Sequence, residues 1–462
     1  MTINFAATQE AAKARIARSL AAAKFSNPVS LAPLVGSVAR AASTAVVLGA
    51  LQSNGGKAYE CVTAGTTSAG AGPSGRGLGI TDGTVVWDYV GPQTAPVVYM
   101  TGTLPGGLTQ AVLRSDDRIR YGGGSLIDSF SYTWVASFDK INSAIGTQGS
   151  IAGFVNKVAA GSFAEVETDA PIIAFAAFKT TTAANFLVEE LGGGGQWQYV
   201  GTNWLNPSWA SGLGYYVLDF TNAGGRKPRR IRLDTGGLFG YSGVSVGPND
   251  TVSRPSLGGR IRLAALGDSW VFGQTQSVQS RRLATVDVAC HLLGIDDVVA
   301  AGASSTGYVA TTAAIPVTFA QRAADVASVG QDIVLIHGGA NDIGTGVGGG
   351  PLATLQAVRA LTNKPIFITG PNAHTAPLTA FTQMETDIAA AVATFADPLT
   401  VFLPTITDPA GAWISGTGNT GAPTGSGNAS LYVGASNHLN DVGYLYYGRR
   451  LAEAMRAVLQ AA

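Results

Sequence analysis

Four residues have types that suit one shared chemistry: Ser269 in "LGDSWVFG" (266–273), Gly302 in "AAGASSTG" (300–307), Asn341 in "HGGANDIG" (337–344) and His438 in "GASNHLNDVGY" (434–444). Acyl transfer asks for a nucleophile, a base within hydrogen-bond reach and donors aimed at a developing oxyanion. Ser269 and His438 would be the catalytic pair. The Ser269 N–H, the Gly302 N–H and the Asn341 side-chain amide would form the oxyanion hole. Taken singly, each has a plainer reading. Asp-Ser after glycine caps helices, Asn-Asp after two glycines is an ordinary turn, Gly302 lies in a glycine-rich turn, and a lone histidine before a helix is usually structural. What favours the functional reading is that all four fall at one edge of the same sheet.

That sheet is legible in the rhythm of the chain from about residue 256. Apolar runs "IRLAAL" (261–266), "DVVAA" (297–301), "DIVLIH" (332–337), "PIFITG" (365–370) and "TVFLP" (400–404) alternate with helical patterns near 277–293, 317–328, 351–362, 377–396 and 441–460. Near-continuous apolar strands alternating with helices predict a parallel sheet covered on both faces. Sites in such sheets lie outside the carboxyl ends of the strands. Ser269, Gly302 and Asn341 follow the first three strands, and His438 precedes the last helix.

The preceding chain reads as two further zones. Residues 1–95 hold an amphipathic helix from about Ala6 to Lys24 and a compact β module, "GKAYECVTAGTTSAGAGPSGRGLGITDGTVVWDYVG" (56–91). Residues 96–255 show short strand-like runs such as "APIIAFAAF" (170–178) and "GYYVLDF" (214–220), separated by turn signals "NAGG" (222–225) and "GPND" (247–250). A β-sandwich or jelly roll is expected there. Tyr59, Trp87 and Tyr89, and the three tryptophans of "GQWQYVGTNWLNPSW" (195–209), are read as core in preference to a sugar-stacking platform.

Composition narrows the function classes. Lys+Arg and Asp+Glu balance at 29 each in 462 residues, so no overall field draws nucleic acid or anionic lipid. The basic run "RKPRRIRL" (226–233) is read as a solvated edge strand. Cys61 and Cys290 lie in regions of different character, so no disulfide is expected. No metal-ligand spacing appears, and neither metal nor cofactor is expected. No stretch is apolar enough for a transmembrane helix, and the N-terminus lacks a signal peptide's apolar core. If the protein acts outside its producing cell, it leaves by lysis or on a particle.

With these motifs in place, residues 261–462 are similar to SGNH (GDSL-type) hydrolases. Gly267-Asp268-Ser269 with Gly273 matches GDSxxxG, Gly302 falls at the second block, Gly339 to Asp342 matches GxND, and His438 matches the fourth block. The resemblance implies a flavodoxin-like three-layer α/β/α catalytic domain (256–462). It implies Ser269 as nucleophile, His438 as base, and Gly302 and Asn341 as oxyanion donors. Two positions depart from the pattern. Ala300 stands where the second block has Asn, and Ala435 stands where DxxH has its acid. A Ser-His dyad is therefore expected, and Asp408 in "TDPAGAWISG", returning from the preceding loop as a substitute acid, is the less favoured alternative. His337 is expected to line the pocket, and His291 and His374 are given no role. Asn440 or Asp441 is expected to cap the last helix.

The 56–91 module resembles small β modules of bacteriophage tail fibres and tailspikes. The 96–255 zone resembles the β-domain that precedes the catalytic domain in some carbohydrate-active SGNH enzymes. Together these imply a carbohydrate O-acetyl esterase acting on acetylated polysaccharide, virion-borne or extracellular, with other tail proteins as partners and a homotrimer as its assembly. The alternative from another class is a virion adhesion protein whose SGNH domain binds glycan without efficient cleavage, and a small-ester or lipid esterase stands third.

Overall fold

The computed structural model describes residues 5–460 except 21–29, 35–36, 76, 78, 114–115, 123–124, 130–131, 137–161, 179–183, 192–196, 201–204, 206–208, 210–211, 236–238, 256–260, 273–283, 296, 314–315, 328–329, 375–377, 422–426 and 435–436. In the C-terminal zone β1 (Arg262–Gly267), β2 (Asp297–Gly302), β3 (Ile333–His337), β4 (Ile366–Thr369) and β5 (Thr400–Leu403) form a parallel sheet ordered β2-β1-β3-β4-β5. These are the five apolar runs, shifted by a residue at most of their ends. Every residue of β2, β3 and β4 is buried, which is why no polar alternation marks them. Strand order reverses between β1 and β3, the flavodoxin-like arrangement that opens a crevice at their carboxyl ends.

The principal helices are α1 (Phe5–Leu20), α2 (Thr285–Leu293), α3 (Gly350–Arg359), α4 (Leu378–Phe395) and α5 (Asp441–Leu459), with α2 packed on α5 and α3 on α4. The pattern near 317–328 is not one helix. It is a 3-10 turn, Ala320–Arg322, followed by the short helix Ala324–Ala327. The inward-turned, fully buried Arg322 side chain interrupts what would have been an apolar stripe.

Both edges of the parallel sheet are covered. At one edge α1 lies along β5, with Ala12, Ile16 and Leu20 buried in the same core as the sheet. Burying a side chain such as Ile16 contributes roughly 1.5–3 kcal/mol. Gln9 completes the docking by standing in for a missing strand. Its Oε1 accepts the Phe402 N–H at 2.7 Å and its Nε2 donates to the Thr400 carbonyl at 3.4 Å. The helix, read from sequence with the first zone, thus packs on the C-terminal domain; residues 21–24 of its expected span lie outside the described residues. At the other edge, Asp297 of β2 pairs with Arg120 at 2.7 Å and with Arg262 at 2.9 Å. Arg120 also reaches the fully buried Glu165, which Arg232 holds at 2.6 Å.

Arg120, Glu165 and Arg232 belong to one of two seven-stranded sheets that precede the parallel one. Val166, Phe186 and Ile231 of one share a core with Phe175, Tyr216 and Val244 of the other. Strand Ser30–Leu34, from the first zone, joins by pairing with Gln198–Val200. The run "RKPRRIRL" is not a solvated edge. Strand Arg229–Thr235 is central, and its Arg229, Arg230 and Arg232 are nearly fully buried. They are tolerated because register sets Arg232 opposite Glu165, and Arg230 opposite both Glu167 and Glu189. The small β module is a five-stranded sheet over Tyr59, Cys61, Trp87 and Tyr89, all buried. The Tyr89 hydroxyl donates to Glu190 at 2.7 Å and ties the module to the larger sheets. Trp197 and Trp209 are likewise buried, while Trp204 lies outside the described residues. Cys61 and Cys290 are buried and are not joined in a disulfide. Among the described residues no helix is long and apolar enough to cross a membrane, and no group of His, Cys, Asp or Glu could hold a metal ion.

Candidate active site

Register brings the site together. Gly267, the last residue of β1, lies opposite Gly302 at the end of β2 and opposite His337 at the end of β3. The three turns that follow therefore leave the sheet side by side. Gly267 must be glycine, because a Cβ there would stand 2.1 Å from the His337 carbonyl oxygen and 2.3 Å from Val271. Asp268 comes next, fully buried. Its carboxylate accepts from the Trp270 N–H at 2.9 Å and from the Gly339 and Ala340 N–H groups at 3.2 and 3.3 Å, lacing the first turn to the third. Burial pushes its pKa up to about 6 against the pull of those donors, and Asp342 adds to the upward push.

Ser269 opens the short helix Ser269–Phe272 and is 5% exposed. His438 Nε2 lies 2.7 Å from its Oγ. The loop that delivers His438 is tightly made. Val433 bridges Leu439, the Gly434 N–H donates to the His438 carbonyl at 2.7 Å, and Asn437 takes a left-handed conformation (φ 61°) that asparagine tolerates. Asn440 then caps α5, accepting the Gly443 N–H at 2.7 Å. The same helix carries Tyr447, whose ring meets Trp270, the residue after Ser269, edge-on at 5.3 Å. One helix thus follows directly on His438 and braces the neighbour of Ser269.

Asn341 lies exposed on the 3-10 turn Ala340–Asp342, entered through Gly339 at φ 103°. Its Nδ2 donates to the Thr306 carbonyl at 2.9 Å, joining the third turn to the second. Asp342 holds the same loop, accepting the Tyr308, Val309 and Ala310 N–H groups at 2.8, 3.0 and 2.7 Å. Of the residues singled out in the sequence, Ser269 and His438 are in direct contact, Gly302 is in register with Gly267 before Ser269, and Asn341 is tied to the loop after Gly302. Gly273 and Ala435 lie outside the described residues.

Two readings change and one alternative falls away. His337 does not line the pocket. It is fully buried, with Nδ1 3.0 Å from the Thr369 hydroxyl and its ring 5.8 Å from Tyr447, and burial drives its pKa down to about 3. Asp408 is committed elsewhere, accepting from Trp413 Nε1 at 2.6 Å and Arg450 at 2.9 Å. His374 lies near the site. It sits in the loop after β4, edge-on to the Phe381 ring at 5.2 Å, and is near enough to His438 to oppose a second positive charge. Burial first, then His438, lowers its pKa. Its position at a strand's carboxyl end was the available sequence signal.

No family model and no curated protein matches the sequence. Solved structures do match. A salicylyl-acyltransferase from a tetracycline biosynthetic pathway aligns at 14% identity over 76% of this chain and 97% of its own, with a TM-score of 0.52. A Bacteroides ovatus protein described as a GDSL-like lipase aligns at 12% identity over 76% and 98%, with a TM-score of 0.51. A family two carbohydrate esterase from Clostridium thermocellum, in complex with cellohexaose, aligns at 13% identity over 74% and 100%, with a TM-score of 0.51. Three quarters of the chain exceeds residues 256–462, so the likeness takes in part of the preceding β structure. The chain thus shares its fold with GDSL-type acyl-transfer enzymes and carbohydrate esterases.

Proposed function

We propose that this protein is a serine esterase that removes acetyl groups from a polysaccharide. The observation that carries the reading is the 2.7 Å contact between Ser269 Oγ and His438 Nε2 at the topological switch point. In the proposed reaction His438 takes the Ser269 proton as Oγ attacks the ester carbonyl. The Ser269 N–H, Gly302 N–H and Asn341 amide stabilise the tetrahedral oxyanion. The protonated imidazole then gives its proton to the departing sugar oxygen. Water, deprotonated by His438, attacks the acetyl-enzyme, and acetate leaves with Ser269 restored. The pair works as a dyad, consistent with Asp408 being held by Arg450 and Trp413.

The carbohydrate substrate is supported by the shared fold with a carbohydrate esterase and by the β structure beside the catalytic sheet. The test is acetate release from acetylated polysaccharide and turnover of p-nitrophenyl acetate by wild type and Ser269→Ala. Loss of both in the variant is expected, and retained turnover would overturn the assignment. Wild-type binding to polysaccharide with no acetate release would favour a glycan-adhesion role instead.

A further inference from the structure

Arg322 is the one guanidinium among the described residues that is buried beneath the candidate site. It is 1% exposed, and it comes from the 3-10 turn that interrupts the chain between β2 and β3. Its Nη2 donates to the Ala301 carbonyl at 2.5 Å. Its Nη1 donates to the Gly267 carbonyl at 3.0 Å and to the Thr306 hydroxyl at 3.1 Å. The ion pair with Asp325, at 3.4 Å, lies on the far side of the fork. Burying a guanidinium is costly, and here three acceptors from two strand ends and one loop answer it. Only a planar fork with five N–H groups can span them; an ammonium is a point donor.

The three acceptors share a feature. The Ala301 carbonyl belongs to the same planar peptide as the Gly302 N–H, so holding that oxygen fixes the direction of that N–H. Thr306, gripped through its hydroxyl, offers its carbonyl to Asn341 Nδ2 at 2.9 Å. The Gly267 carbonyl also accepts the Ala303 N–H at 3.0 Å, closing the ring around Gly302. One buried side chain is thereby linked to two of the three oxyanion donors and to the strand that ends at the nucleophile.

We propose that Arg322 is a positioning residue for the oxyanion hole, setting the Gly302 peptide plane directly and the Asn341 amide through Thr306. This rests on the reading of Ser269 as the nucleophile of an ester hydrolysis. Donors misplaced by a fraction of an ångström weaken the transition state more than the ground state, so the effect falls on kcat and spares KM.

The experiment measures p-nitrophenyl acetate kinetics for Arg322→Lys and Thr306→Val, each alone and combined with Asn341→Ala, with thermal unfolding to confirm folding. Arg322→Lys is expected to lower kcat by about 10- to 10²-fold with KM little changed, as misplacement of transition-state donors does. Thr306→Val keeps the volume and removes only the hydroxyl that Arg322 grips, so it should lower kcat less. Both losses should shrink when Asn341 is already gone, because part of the effect runs through that amide. A folded Arg322→Lys with wild-type kcat, or losses equally large with and without Asn341, would overturn the proposal. If Arg322→Lys does not fold, Thr306→Val decides by the same outcomes. Ser269→Ala in the same series separates the two ideas: turnover surviving there sinks the esterase reading, while its loss beside an unaffected Arg322→Lys sinks only this one.

Discussion

Replacing Asp342 by Asn tests how the loop after β2 is held. The carboxylate accepts three backbone donors: Oδ2 takes the Tyr308 N–H, and Oδ1 takes those of Val309 and Ala310. An amide can keep its oxygen toward Val309 and Ala310, but it then presents an NH2 to the buried Tyr308 N–H. One charge-assisted bond is lost, about 1.5–3 kcal/mol, and one buried donor is left unanswered, about 1–3 kcal/mol more. An opposing effect limits the sum. Burial raises the Asp342 pKa despite its three donors, so the charged form is held at a cost that the neutral amide escapes. The net loss should fall near the low end, about 2–3 kcal/mol. That is a large share of a typical domain's 5–15 kcal/mol (roughly). Urea unfolding of the C-terminal domain at pH 7, followed by tryptophan fluorescence, gives the number. Because the loop carries Thr306, kcat should fall in the same variant. A loss under about 1 kcal/mol with unchanged kcat would show that the loop is held by something other than this carboxylate.

Asn341→Ala should lower kcat by roughly 10²–10³, the usual consequence of losing one oxyanion donor, with acetyl ester turnover as the assay; an unchanged kcat would remove Asn341 from the hole. Asp325 gives a pH prediction. Its folded pKa is raised to about 7, chiefly by burial, above an unfolded value near 3.8. Its contribution to stability is therefore complete below the unfolded pKa and is lost as pH rises through the folded one. Asp325→Asn does not titrate, so the variant should gain on wild type as pH goes from 4 to 8, measured by urea midpoints; a difference independent of pH would contradict the buried, raised carboxyl.

The parallel sheet was readable because strands buried on both faces leave unbroken apolar runs, and the candidate site was sought where those strands end. Ser269, Gly302, Asn341 and His438 each stood one turn past, or one turn before, an element the pattern had located. What escaped is nonlocal. "RKPRRIRL" reads as solvated because its partners, Glu165, Glu167 and Glu189, are brought alongside only by strand pairing. Arg322 looked like one polar residue of a helix, since the carbonyls it answers belong to strand ends that carry no side-chain signature. His374 was passed over because no motif surrounds it. The docking of α1 could not be inferred either, as its amphipathic face names no partner.

That docking makes the order of events during synthesis one-directional. Gln9 and Phe402, hydrogen-bonded at 2.7 Å, are 393 residues apart in the chain. On a ribosome α1 emerges long before the strand it covers, which appears only after both β units and most of the parallel sheet. The helix must wait with its apolar face unsatisfied until these two distant segments meet, and until then the edge of β5 stays open. Contacts so distant in sequence form late and slowly, and an uncovered parallel edge is a template for pairing with another chain. The closure of α1 over β5 is thus the step that separates a nearly finished, association-prone chain from one that is safely folded.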